Sequence, residues 1–158
     1  MNPTFRLLAL AHEQFNPLFS LSGEALRAKG VVRRVATQTP GFPCRVSLED
    51  AQIGDELLLL PFVHHKVESP YRSSGPIFVR RGARTRQLAA GEVPPYVTHR
   101  LMSIRAYDAT NMMVAAEVCE GTFVAAQLER FFADENVSYA QLHNAKYGCY
   151  SCQAVRTF

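Results

Sequence analysis

The chain has 158 residues, 47% of them apolar and 20% charged, with 9 Gly, 9 Pro, 10 Phe, 6 Tyr and no Trp. Such a composition buries enough apolar surface to offset the ordering entropy of one domain, so residues 1–158 are read as a single domain, and disordered, collagen-like, coiled-coil and low-complexity architectures are excluded. A net charge of +3 is too mild to mark a nucleic-acid binder, and no run approaches the roughly 18–20 apolar residues that span a bilayer: the leucines at 57–60 stop at Pro61, so no membrane contact is expected.

Residues 5–10 read as a partly buried strand. Ser22 offers an N-cap hydroxyl to a short helix over 23–29, with Glu24 in its first turn, Arg27 and Lys29 in its last, and Gly30 as stop. Residues 31–36 read as a strand and 39–43 as a proline-stiffened turn. Cys44, Val46 and Leu48 alternate with Arg45 and Ser47, which predicts a half-buried strand over 44–48, paired as a hairpin with a strongly apolar strand over 56–63. Residues 64–76 are polar and punctuated by Pro70, Gly75 and Pro76, which predicts a long loop of the kind that often carries function. A short strand at 77–79, a basic loop over 80–95 and a hairpin of strands 101–107 and 112–119 follow. Val124, Leu128, Phe131 and Phe132 share one helical face, which predicts a long amphipathic helix introduced by Gly121 and closed by Asn136. Strands over 137–143 and 148–155 complete the chain. The fold class expected is α+β, with a mostly antiparallel sheet, open or closed into a barrel, one long amphipathic helix and one short one.

Pro40-Gly41-Phe42-Pro43-Cys44-Arg45, Ser69-Pro70-Tyr71-Arg72-Ser73-Ser74-Gly75-Pro76, Arg105-Ala106-Tyr107-Asp108 and His143-Asn144-Ala145 with Gly148-Cys149 run along most of the chain. In these segments the sequence resembles a bacterial family described as domain of unknown function 1203. The resemblance implies one intact domain and brings no established activity. Residues 51–57, Ala-Gln-Ile-Gly-Asp-Glu-Leu, are also similar to the Gly-Asp turn of cradle-loop barrels.

Between positions 72 and 105 all seven basic residues are arginine, and Glu92 is the one carboxylate. Guanidinium binds carboxylate or phosphate through two parallel hydrogen bonds, so this bias suits an anionic small ligand. The pocket expected gathers Arg45, Tyr71, Arg72, Ser74, Arg105, Asp108, His143 and Asn144, with Gly75 permitting close backbone approach. His64 and His65 fall on opposite strand faces, so at most one of them joins any site. An imidazole at His143, oriented by Asn144 beside the thiol of Cys44 or Cys149, would make a Cys-His-Asn nucleophile.

No signal peptide is read at the N-terminus, so a reducing cytoplasmic location is expected, with the four cysteines as thiols. Cys149 and Cys152 have C-x-x-C spacing, but a strand there points them to opposite faces, and no metal or other cofactor is expected. The competing reading is a non-catalytic interaction module for nucleic acid or protein built on the basic loop at 80–86. Aromatic residues are missing between its arginines, which disfavours nucleic acid. An apolar strand edge would suit a homodimer.

Overall fold

Strands outweigh helices in the regular structure of the chain. The computed structural model, described over residues 4–157, is 38% strand and 19% helical. The first sheet takes the order β1 (Phe5–Leu8), β10 (Tyr150–Arg156), β9 (Tyr139–Asn144), β7 (Leu101–Tyr107) and β8 (Met113–Glu120), antiparallel throughout. The second takes the order β2 (Val32–Val35), β5 (Glu56–His65), β6 (Ser73–Arg80), β3 (Pro43–Cys44) and β4 (Glu49–Asp50), with one parallel contact where Cys44 faces Phe78. The α+β expectation is thereby corrected to a mostly β fold of two five-stranded sheets, and neither closes into a barrel.

Two local errors of reading explain that correction. Residues 43–48 are buried without exception, so the apparent alternation at 44–48 marks no strand face. The chain turns there instead, with Leu48 at φ 51, and β5 pairs with β2 and β6 rather than with residues 44–48. The long helix expected over 121–136 is one twelve-residue helix: a 3-10 turn, Gly121–Phe123, leads into α3 (Val124–Phe132). Gly121 lies so close to the preceding segment that a Cβ on it would sit 2.0 Å from the Val97 carbonyl oxygen. The chain leaves the helix at Ala133, and Asp134 Oδ1 accepts the Asn136 amide beyond it. The apolar stripe is real: Val124, Leu128, Phe131 and Phe132 are all buried.

The short helix α1 (Gly23–Ala28) starts as its sequence signals, with the Ser22 hydroxyl accepting from the Ala25 amide. A further single turn, α2 (Pro95–Thr98), precedes β7. One core lies between the first sheet and α3, around Phe5, Leu7, Met102, Ile104, Leu128 and Leu142. The other lies between the second sheet and α1, around Leu26, Val46, Leu58, Leu60, Ile77 and Val79. The cores exchange one residue each: Leu48, from the turn after β3, packs into the first, and Tyr150, from β10, packs into the second. No helix among the described residues is long and apolar enough to cross a membrane.

Candidate functional site

β9 is buried on both faces, and the two faces differ in chemistry. Ala140 and Leu142 enter the apolar core, whereas Gln141 and His143 are about 1% exposed on the opposite face. Ladder register puts Ser103 opposite His143, Arg105 opposite Gln141 and Tyr107 opposite Tyr139, so β7 and β9 together present one polar face. The end of β5 covers it. His64 Nδ1 donates to Gln141 Oε1 at 2.9 Å, and Gln141 Nε2 returns a bond to the His64 carbonyl at 2.8 Å. Tyr150 stacks on His64 with centroids 5.3 Å apart, and His143 meets His64 edge-on at 4.8 Å.

Burial and the Arg105 guanidinium together push the His143 imidazole down to about 3. The neutral ring is held from both sides: Nδ1 donates to the Gly148 carbonyl at 3.1 Å, and Nε2 accepts from Arg105 Nη1 at 3.4 Å. Burial also lowers His64. Further along the same face, His65 is 2% exposed and uses both nitrogens, with Nδ1 on the Tyr71 carbonyl at 2.8 Å and Nε2 on the Tyr139 hydroxyl at 2.6 Å. Tyr139 in turn donates to Asn111 Oδ1 at 2.7 Å, which ties the loop after β5 to the β7–β8 turn. These polar groups satisfy one another.

The open site lies beside this layer. A cleft of about 830 Å³ separates the two sheets where the 41–45 segment of one faces the β9–β10 turn of the other. Its apolar wall is Phe42, Pro43, Leu59 and Phe78, with the two phenyl rings 5.2 Å apart and tilted. Across from it stand His99 and Arg100 before β7, and Asn144, Lys146, Tyr147 and Cys149 around the turn. Among the described residues, no Asp or Glu lines the cleft.

Its cations are unlike one another. Arg100 grips the Asp50 carboxylate with both Nη atoms and donates to the Tyr96 carbonyl at 2.7 Å, so it is neutralised and ties β4 to α2. Arg45 is 2% exposed and has no carboxylate partner among the described residues; Nε donates to the Tyr150 carbonyl at 2.7 Å and Nη1 to the Pro43 carbonyl at 2.6 Å. Its Nη2 has no partner among them. A buried cation held only by carbonyl dipoles keeps its positive potential for whatever enters the cleft.

Of the residues expected to gather, Arg45 and Asn144 line the cleft, as does the nucleophile candidate Cys149, while Arg105 and His143 belong to the polar layer beside it. The others stand apart. Asp108 caps the β7–β8 turn, accepting from the Met112 and Thr110 amides and the Thr110 hydroxyl, bonds that hold its carboxyl below the usual range. Arg72 is exposed, and Ser74 lines a shallow groove of about 300 Å³ near Pro61. Tyr71 lends its carbonyl to His65 and meets Tyr107 edge-on. Residues 64–76 also form less loop than expected, because β5 continues through His65 and β6 begins at Ser73.

The thiols are dispersed. Cys44 is wholly buried, with Sγ accepting from the Ser47 and Arg80 amides. Cys152 lies in the first core, where burial pushes it up to about 12, and Cys149 Sγ approaches the Tyr147 carbonyl at 3.9 Å. Both nitrogens of His143 are committed away from these thiols, and an imidazole at about 3 is too weak a base to deprotonate one at neutral pH. Among the described residues no three His, Cys, Asp or Glu side chains cluster as metal ligands. In the basic loop, Arg81 pairs with Glu56 and Arg86 with Glu49 and Glu92, whereas Arg80 and Arg84 pair with no carboxylate among the described residues. The outer strand β8 exposes Val114 and Val118.

The sequence allowed only one of His64 and His65 at a site, yet both meet the polar layer because the β5 register shifts between Phe62 and His65. Gln141 and Tyr139 of the layer, and Phe42, Phe78, His99 and Lys146 of the cleft, were not anticipated. A signal existed for the layer: Ser103, Arg105 and Tyr107 alternate with core residues in β7, as Tyr139, Gln141 and His143 do in β9. No curated protein and no solved structure matches the chain. Residues 41–156, which hold both described walls of the cleft, the polar layer and α3, match the family described as Protein of unknown function (DUF1203). That span takes in well over half of the sequence, and the chain belongs to this family.

Proposed function

We propose that the protein binds a small organic anion in the cleft between its two sheets, with the anionic group on Arg45. The observation that carries this reading is the Arg45 guanidinium, almost wholly buried at a cleft where, among the described residues, no carboxylate pairs with it and no Asp or Glu lines the wall. The volume of about 830 Å³ suits a metabolite-sized ligand, since such sites commonly span roughly 300–1,000 Å³. Arg100 contributes shape rather than charge because Asp50 already neutralises it. Lys146, exposed on the β9–β10 turn, adds positive potential at the mouth.

Thermal melting with millimolar panels of carboxylates, phosphates and nucleotides tests this. A ligand at about 100 times its dissociation constant adds about 2.7 kcal/mol of stability, a rise of several degrees for a chain of this size. The rise is expected in wild type and lost in Arg45→Lys, whose point charge carries one less fixed donor direction. Absence of any saturable rise across the panel contradicts the reading.

A further inference from the structure

We infer that the ligand of this cleft is a monocarboxylate with a ring-sized apolar body and an N–H or O–H donor close to its carboxylate. The inference rests on the anion reading above and adds the chemical class. Asn144 supplies the first observation. It lines the cleft at 7% exposure, yet its Oδ1 is buried with no hydrogen-bond partner among the described residues. An orphaned acceptor of this kind loses its hydration without compensation in the free protein, a penalty that a ligand donor relieves. The backbone of Asn144 does separate work, its amide and carbonyl closing the β9–β10 turn on the Cys149 carbonyl and the Gly148 amide.

Charge count supplies the second. Arg45 is buried without a carboxylate partner among the described residues and Arg100 is spent on Asp50, so the buried wall carries one uncompensated positive charge, which matches a monocarboxylate better than a dianionic phosphoryl group. The third is the wall opposite Asn144. Phe42 and Phe78 pack as a tilted pair beside Leu59, an apolar surface of the width of one ring, which gains little from a wholly polar ligand.

Calorimetric titration of the full chain with N-benzoylglycine, its N-methyl analogue and phenyl phosphate tests the assignment. N-benzoylglycine is expected to bind, the N-methyl analogue to bind about tenfold more weakly because its amide donates nothing to Asn144, and that gap to vanish in Asn144→Ala. The variant removes a side chain that makes no hydrogen bond among the described residues, and the comparison within wild type stands even if it proves unstable. Equal binding of the two carboxylates by wild type, or tighter binding of phenyl phosphate, overturns the class and leaves the anion reading standing. Failure of all three to bind overturns both.

Discussion

Arg45 Nε donates to the Tyr150 carbonyl oxygen at 2.7 Å, joining the turn after β3 in one sheet to the first residue of β10 in the other. The same guanidinium holds the Pro43 carbonyl, so one side chain both fastens the two sheets and charges the cleft between them. Arg45→Met would leave both carbonyls buried and unpaired while relieving the cost of the buried charge. The net loss expected is about 2 kcal/mol, read as a lower urea midpoint at unchanged slope. A loss under about 0.5 kcal/mol would show that the carbonyls find other partners.

Gly121 sets the angle at which α3 meets the sheet. A Cβ there would lie 2.0 Å from the Val97 carbonyl oxygen and 2.8 Å from that of Arg100, both backbone atoms with no rotamer to give. Gly121→Ala is expected to destabilise by about 3 kcal/mol or more, since the helix start must move away from α2. Chemical denaturation measures it, and a neutral result would mean that the 3-10 turn repacks freely.

Acid should weaken the fold through His143. Burial holds its imidazole at about 3 in the folded chain against the ordinary 6.5, so between those values the unfolded chain binds a proton that the folded chain refuses. Stability from this group is therefore fully present above about pH 6.5 and is lost as pH falls toward 3. His64, lowered in the same direction, adds to the slope. His143→Gln, which cannot titrate, should give a flatter melting temperature against pH over that window than wild type. Parallel curves would place the acid sensitivity elsewhere.

Tyr139 joins two segments far apart in the chain, its hydroxyl 2.6 Å from His65 Nε2 and 2.7 Å from Asn111 Oδ1. Tyr139→Phe keeps the ring stacked on Tyr107 but strands a buried imidazole nitrogen. A cost of about 1–3 kcal/mol is expected, with faster amide exchange in the loop after β5 and in the β7–β8 turn. Unchanged exchange in both segments would contradict the bridging role.

Local signals in the sequence carried the elements whose neighbours agree with them. β7 runs from Leu101 to Tyr107 as its alternation says, because one face meets the core and the other a polar layer. Ser22 caps α1 through a bond made within four residues. Where tertiary contacts decide, the same signals misled. Arg45 and Ser47 look like the solvent side of a strand but are buried beneath the second sheet's neighbour. Gly75 and Pro76 look like a loop but lie in β6, on a stretch that pairs only with β5, so the missing proline donor faces no ladder partner. The cleft shares this character: Phe42, Arg45, Arg100 and Asn144 are separated by up to a hundred positions, and only the packing of two sheets brings them to one wall.

Entry of an organic anion into the inter-sheet cleft is read from the backbone amide resonances of the labelled protein during titration with benzoate at constant ionic strength. Saturable shifts confined to Arg45, Phe78, Asn144 and their neighbours are the expected result, with Arg81, Arg84 and Arg86 unmoved. No saturable shift, or shifts centred on residues 80–86, would contradict it.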